Sequence, residues 1–383
     1  ARNEERILRG QTNMNSVELA QKLVQFPSLN TPGEEKACAD YLADLLRRAG
    51  LEVELHEFAV GRPSIVARLQ GTSDLRPLVF TGHIDVVPLG EKPWSASPFA
   101  AEIHDGRLIG RGASDMKAGV AAFVIAAIAQ AKLGKPRRGI TLVITAGEET
   151  GCEGAFHLAR IGALGPAELL IVAEPTSNLP IIAHKGSVRL RITAKGKTAH
   201  SSMPELGSNA IYKVTEWIRR IEMLGFESNS HPLLGRTTAS VTTVFGGQNI
   251  NSVPDSAGFT VDFRTVPSHD HGELVASIQE LCGQEAAIEV LTDFKGFGTA
   301  PDDAAIEPLM DILEKRLGSR PNPAGAPYFT DASALVPGFN NVATVVIGPG
   351  EAAQCHQTDE FCYVDHINAA LEIYTALIHR MCE

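Results

Sequence analysis

Four short runs of this chain are apolar almost throughout: PLVFT (Pro77–Thr81), GITLVIT (Gly139–Thr145), ELLIVA (Glu168–Ala173) and VATVVI (Val342–Ile347). Strands this uniform have no polar face to offer water, so both faces must be covered, as in mostly parallel sheets with helices packed on either side. Helix-period stretches supply the cover. They fall at Val17–Gln25 and Glu34–Ala49, from about Met116, near Glu153–Ile161, over Ala304–Leu317 and from Val364 to about His379. The expected fold class is α/β, with a mostly parallel sheet covered by helices. In open sheets of this kind ligands gather beyond the carboxyl ends of the strands.

Metal-ligating residue types stand at those ends. GHIDVVP carries His83 and Asp85, TAGEETG carries Glu148 and Glu149, and AEPTS carries Glu174. GRGASDMKAG adds Asp115 and GPGEAAQCHQTDE adds His356. Zinc takes nitrogen from His and oxygen from Asp or Glu, and two-metal hydrolytic sites hold their ions ~3.5–4 Å apart. Two histidines and at least three carboxylates are what such a pair of ions requires. Their dispersal along the chain argues against a local metal clip and for a centre assembled by the fold. Cys355 adjoins His356, but neighbouring side chains on an extended segment point to opposite faces, so it is left out of the ligand set.

A chain of 383 residues exceeds the ~250–300 at which a single core stops growing, so two units are expected. The texture changes after Pro180. IIAHKGSVRLRITAKG reads as one polar-alternating strand, Asn209–Ile221 as an amphipathic helix, and Thr237–Phe245 and Gly258–Thr265 as two further strands. Glu273–Cys282 is again helical and Ala287–Leu291 a short strand. Two helices on an antiparallel sheet make an inserted α+β unit of the split-βαβ, ferredoxin-like kind. The α/β unit is then discontinuous, residues 1–179 and 295–383, around an insertion at 180–294.

A net charge of -11 leaves no Lys/Arg-rich face for nucleic acid. AGVAAFVIAAIAQA, after Lys117, is shorter than the ~20 residues a bilayer span needs and reads as a buried helix, so no membrane partner is expected. The charged start ARNEERILRGQTN is no signal peptide, and the residues before Met14 read as a remnant of expression or an alternative start. The six cysteines form no CxxC pair, which suggests free thiols and a cytoplasmic setting. GRGAS lacks the further Gly or the Lys-Ser/Thr ending of a phosphate loop.

Taken in order, GHIDVVP, GRGASDMKAG, TAGEETG, AEPTS, HKG, GKTAHSSMPELGSNAI, NSVPD, VDFR and GPGEAAQCHQTDE resemble the metallopeptidase M20 family. Within it the chain is most similar to the branch holding acetylornithine deacetylase and succinyl-diaminopimelate desuccinylase. The resemblance runs from about Ser16 to the C-terminus. It implies two Zn²⁺ ions, with His83 and Glu174 completing one site, Glu149 and His356 the other, and Asp115 bridging both. Asp85 would steady His83 from behind. Glu148 would be the general base, working on a water whose pKa the metals bring towards ~7. Co²⁺ is expected to substitute, because N/O ligands select weakly among these ions.

The resemblance also implies a homodimer formed through the inserted lid, with His200 reaching the partner's active site to stabilise the oxyanion. Arg264 and Asn251 would hold the substrate's carboxylate. APYFTDASAL (Ala326–Leu335) lies where relatives place a substrate-touching loop, and its TDAS departs from their pattern. The implied activity is hydrolysis of the amide of a small N-acylated amino acid. Carboxypeptidase or dipeptidase action on a short peptide is the alternative within the family, and a non-catalytic metal-dependent binding protein is the alternative outside it.

Overall fold

The computed structural model describes residues 14–30, 32–227 and 229–383; the expectation for the residues before Met14 lies outside them. The chain divides into two compact units. The first comprises the residues up to Ile182 together with Thr299–Ala324 and Thr330–Glu383, and the second comprises Ala183–Gly298 and Gly325–Phe329.

In the first unit the strands run, in spatial order, Glu52–Glu57, Pro63–Leu69, Ile140–Thr145, Leu78–His83, Leu169–Val172 and Thr344–Val346. The last four are mutually parallel, and the outer pair is antiparallel. Every residue of the four parallel strands is buried, as coverage on both faces requires. The helix Ala118–Leu133 lies against the sheet and against the closing helix Val364–Cys382, and Tyr374 of the latter stacks edge-on at 5.3 Å from Phe80. Among the described residues Ala113–Leu133 is the one helix long and apolar enough to cross a membrane, and 72% of its most apolar window is buried inside the fold.

One glycine sets how closely this helix approaches the site. A Cβ on Gly119 would sit 2.3 Å from the carbonyl oxygen of Ala173, so only glycine lets the helix start lie on the strand end that leads into Glu174.

One expectation from the sequence needs correction here, and one small sheet was not foreseen. Ala326–Leu335 is not one loop, because Ala332–Gly338 is helical and residues 330–336 are buried. The interior is where Asp331 finds its partner, the hydroxyl of Thr145. A three-stranded sheet of Phe361–Tyr363, Arg107–Ile109 and Ile103–His104 was not anticipated, since strands this short carry no measurable alternation.

The second unit is a four-stranded antiparallel sheet, in order Thr238–Gly246, Ser256–Thr265, Gly186–Lys195 and Ala286–Phe294. Helices Ala210–Glu222 and His271–Cys282 pack on its apolar face, where Val188, Leu190, Ile192, Phe259, Val261 and Phe263 meet Trp217, Ile221 and Ile278. This is a βαββαβ order of the ferredoxin-like kind. The expected single strand from Ile181 to Gly196 is in fact two, Ile181–His184 and Gly186–Lys195, in different sheets. The first is almost wholly buried whereas alternation begins only after Ser187, so the two halves meet different surroundings. The short strand at Ala287–Leu291 is longer than expected and spans Ala286–Phe294.

Candidate metal centre

Five donor residues converge within the first unit. His83 closes its strand, and Glu149 and Glu174 sit just past theirs. Asp115 comes from the kinked turn Ala113–Lys117 that opens the helix Ala118–Leu133, where its own backbone is non-helical, and His356 from the loop ahead of Phe361–Tyr363. The Asp115 carboxylate lies between the histidines: Oδ1 is 3.1 Å from His83 Nε2 and Oδ2 is 3.5 Å from His356 Nε2. Glu174 Oε1 lies 3.8 Å from His83 Nε2, and Glu149 Oε2 lies 3.1 Å from His356 Nε2. Two ligand atoms on one tetrahedral zinc, with bonds of ~2.0–2.1 Å, stand ~3.3 Å apart. Three of these contacts, at 3.1 Å, 3.5 Å and 3.1 Å, are near that spacing and the Glu174–His83 contact at 3.8 Å is wider, with Asp115 presenting one oxygen to each histidine.

The charges fit as well. Burial pushes the Glu174 carboxyl well above its ordinary range, and the neighbouring Asp115 adds to this. Burial and then the Asp115 charge likewise raise Glu149. Asp115 is held well below the ordinary range: burial opposes this, but the hydrogen bonds from His356 and His83 prevail. Crowded carboxylates with too little positive charge are what a pair of divalent cations offsets.

The histidines respond in the opposite sense. Hydrogen bonds to Asp115 and Glu149 push His356 up to about 10. His83 is also raised well above its ordinary value, because Asp115, Asp85 and Glu174 outweigh its burial. A raised histidine pKa stabilises the stripped protein fully below the unfolded value of ~6.5, and this is lost as pH rises through the folded value. Zinc must displace those protons, so its affinity moves the other way. Zinc affinity is therefore expected to rise by up to ~10-fold per pH unit for each proton released between about pH 6.5 and 10, while the chelated protein loses stability over the same window. Chelator-competition titrations and melting curves across that window check both, and a flat zinc affinity would contradict the assignment.

Glu148 precedes Glu149 in the chain, is 8% exposed, and has its carboxyl pushed well above the ordinary range, first by burial, with the His83 charge opposing and the Glu174 charge adding to this. Asp85 contributes through two routes. Its carbonyl accepts a hydrogen bond from the His83 Nδ1–H at 3.0 Å, which leaves Nε2 as the ligating nitrogen. Its carboxylate, 3.6 Å from that ring, accepts the backbone N–H groups of Glu148 at 3.2 Å and Glu149 at 3.1 Å, and a bond from the Asn30 amide. Asn30 in turn accepts from Arg62 Nη2 at 2.8 Å, and Arg62 is clamped by Glu35 at 2.8 Å. The turn that carries both glutamates is thus tied down by a buried polar chain.

Residues 79–380 match the sequence profile of Peptidase family M20/M25/M40. The chain belongs to this family. A Staphylococcus epidermidis protein bearing the name "Probable succinyl-diaminopimelate desuccinylase" is 30% identical over 377 residues, covering 89% of this chain and 93% of its own length. An M20 family metallo-carboxypeptidase from Sulfolobus solfataricus shares the fold with a TM-score of 0.80 at 18% identity, over 95% of this chain and 98% of its own. A dinuclear metal binding peptidase of the M20 family from Bacillus subtilis does so with a TM-score of 0.71 at 15% identity, over 96% and 97% of the two chains. This M20 chain is a metal-dependent amide hydrolase.

The other residues singled out in the sequence lie in the second unit. His200 is exposed, and its Nδ1 accepts the Ser202 N–H at 3.2 Å, which places the ring proton on Nε2 as an outward donor. Asn251 is exposed on the neighbouring strand-like segment, where its carbonyl accepts the Ser201 N–H at 3.0 Å. Arg264 donates to Asp262 at 3.1 Å and has its guanidinium 5.8 Å from the Phe329 ring centroid. The sequence reading missed Asn30, Glu35 and Arg62, and it put Asp331 in a substrate loop. Instead, ligand-type atoms of Asp331, Glu148 and Cys152 lie within 4.8 Å of one another in the interior.

Proposed function

We propose that this M20 hydrolase binds two zinc ions and cleaves the amide of a small N-acylated amino acid, releasing a carboxylate and a free amine. The observation that carries the reading is the buried Glu148 carboxyl set beside a donor cluster in which Asp115 presents one oxygen to each histidine. His83 and Glu174 would hold one ion, Glu149 and His356 the other, and Asp115 both. Two divalent ions, when bound, polarise the amide carbonyl and lower the pKa of a water towards ~7.

Glu148 takes that water's proton on its carboxylate as the oxygen attacks the carbonyl carbon. It then delivers the proton to the nitrogen as the C–N bond breaks. A carboxyl whose pKa is raised by burial suits both halves of the task. Asp85 keeps Glu148 aimed by holding its backbone N–H. His200, with its proton on Nε2, is suited to donate to the developing oxyanion, from a partner subunit in this reading. Arg264 and Asn251 receive the carboxylate of the substrate.

A homodimer through the second unit is supported by the edge strand Thr238–Gly246, which leaves Val244 and Phe245 exposed at 67% and 46%, an edge that another chain can cover. Six free cysteines accord with a cytoplasmic setting. Co²⁺ is expected to replace zinc with activity retained.

The deciding experiment is hydrolysis of a panel of N-acetyl, N-succinyl and dipeptide substrates by zinc-loaded protein, with and without chelator. Chelator-sensitive cleavage of one N-acyl class is expected, and cleavage of dipeptides alone would establish the peptidase alternative. With the preferred substrate, Arg264→Ala is expected to raise KM by about 10- to 100-fold with a small change in kcat, the loss of a charge-assisted pair worth ~1.5–3 kcal/mol. An unchanged KM would remove Arg264 from the binding site.

A further inference from the structure

Glu360 is fully buried in the first unit and has no part in the mechanism above. Its carboxylate is nonetheless surrounded by donors from a single loop. Oε1 accepts the backbone N–H groups of Ser114 at 2.8 Å and Asp115 at 3.0 Å. Oε2 accepts the N–H of Gly112 at 3.1 Å and Arg111 Nη1 at 2.8 Å. Backbone N–H groups curled around an anion form a nest; here Gly112, Ser114 and Asp115 supply them while the Ala113 N–H turns to the Gly110 carbonyl, and Gly112, at φ +84°, is the left-handed residue of the curl. A Cβ at Gly112 would also lie 2.6 Å from Val86.

Arg111 is only 2% exposed and is itself fixed. It donates to the carbonyls of Gln357 at 3.1 Å and Pro88 at 3.2 Å, and its guanidinium lies 5.2 Å from the Trp94 ring. Behind the nest, Phe361–Tyr363 pairs with Arg107–Ile109. The peptide that carries His356 is therefore fastened at Glu360 to the loop that carries Asp115, across 245 residues of sequence.

We propose that Glu360 is a positioning residue for the metal centre, holding the Asp115 backbone through its nest so that the Asp115 carboxylate stands between His83 and His356. The inference rests on the two-metal reading above. Groups behind metal ligands commonly alter metal affinity by ~10–100-fold when replaced. Because Asp115 faces both histidines, losing its anchor weakens both sites together.

The test is Glu360→Gln, which keeps volume and one acceptor oxygen but turns an NH₂ group towards donors. The readouts are zinc dissociation constants by chelator competition, the visible absorption of the cobalt-loaded protein, and the melting of the metal-free protein. Arg138→Ala is the control: Arg138 donates to the carbonyls of Arg76 at 2.6 Å and Met381 at 3.1 Å, ahead of the strand Ile140–Thr145 and away from its site end. Glu360→Gln is expected to weaken both ions by about 10- to 100-fold and to change the cobalt spectrum. Arg138→Ala should lower melting alone.

Wild-type protein that binds two ions, with Glu360→Gln indistinguishable from it in affinity and spectrum, overturns the positioning role and leaves the metal reading intact. Wild-type protein that binds no ions overturns the metal reading, and this role falls with it. Should Glu360→Gln fail to fold, Arg111→Lys, which loosens the clamp but spares the nest, is expected to show the same loss in smaller measure. Failure of both variants to fold would make Glu360 a folding anchor and overturn the proposal.

Discussion

Glu148→Gln is expected to lower kcat by about 10²- to 10⁴-fold, the range general-base catalysis supplies, while both zinc ions stay bound. Glutamine matches glutamate in volume and accepts hydrogen bonds, but it cannot take a proton from water at neutral pH. The backbone bond from Glu148 to Asp85 does not involve the side chain, so the turn and the neighbouring ligand Glu149 stay in place. Metal analysis together with steady-state kinetics separates the outcomes. A near-wild-type rate would show that another group takes the proton, and the buried Asp331, pushed by burial up to about 6, would be the next residue to replace. Loss of zinc together with activity would make Glu148 a ligand instead.

How far the sequence could be read depended on whether each signal was local. The four parallel strands were legible because burial on both faces leaves an unbroken apolar run, and the donors at their ends were legible because open sheets place sites there. The inserted unit was legible in its helices and most strands because one-faced periodicity is also a local signal. Lys185, where one expected strand becomes two, was not. Alternation on one side of Lys185 and near-complete burial on the other are visible only once the neighbouring strands are known. Polar side chains behind the site were less legible still. Asn30, Arg62 and Glu360 find their partners 55, 27 and 245 residues away, and no periodicity marks such a pairing. Asp85 shows the limit well. The HxD spacing implied support for His83, and a carbonyl does face that ring, yet the carboxylate spends its acceptors on the Glu148 and Glu149 backbone.

Asp115→Ala should have the broader effect on metal content. Glu174 lies 3.8 Å from His83, and Glu149 lies 3.1 Å from His356 with a ligand atom also within 4.8 Å of that of His83, whereas Asp115 stands at 3.1 Å from one histidine and 3.5 Å from the other. Removing Glu174 or Glu149 should therefore cost mainly one ion. Removing Asp115 strips a donor from both and takes away the carboxylate that separates two divalent charges held ~3.5–4 Å apart. After gel filtration in metal-free buffer, Asp115→Ala is expected to retain fewer than one zinc per chain, Glu174→Ala about one, and the unaltered protein two, following the ligand counts such ions need. Activity of Asp115→Ala should fall by at least about 10³, more than the loss of a single oxyanion donor causes, because both the polarising and the water-activating contributions go. Elemental analysis of the purified variants reads the stoichiometry directly. Two zinc ions retained in Asp115→Ala would mean that the carboxylate between His83 and His356 is not a bridge, and the pairing of ligands into two sites would have to be redrawn.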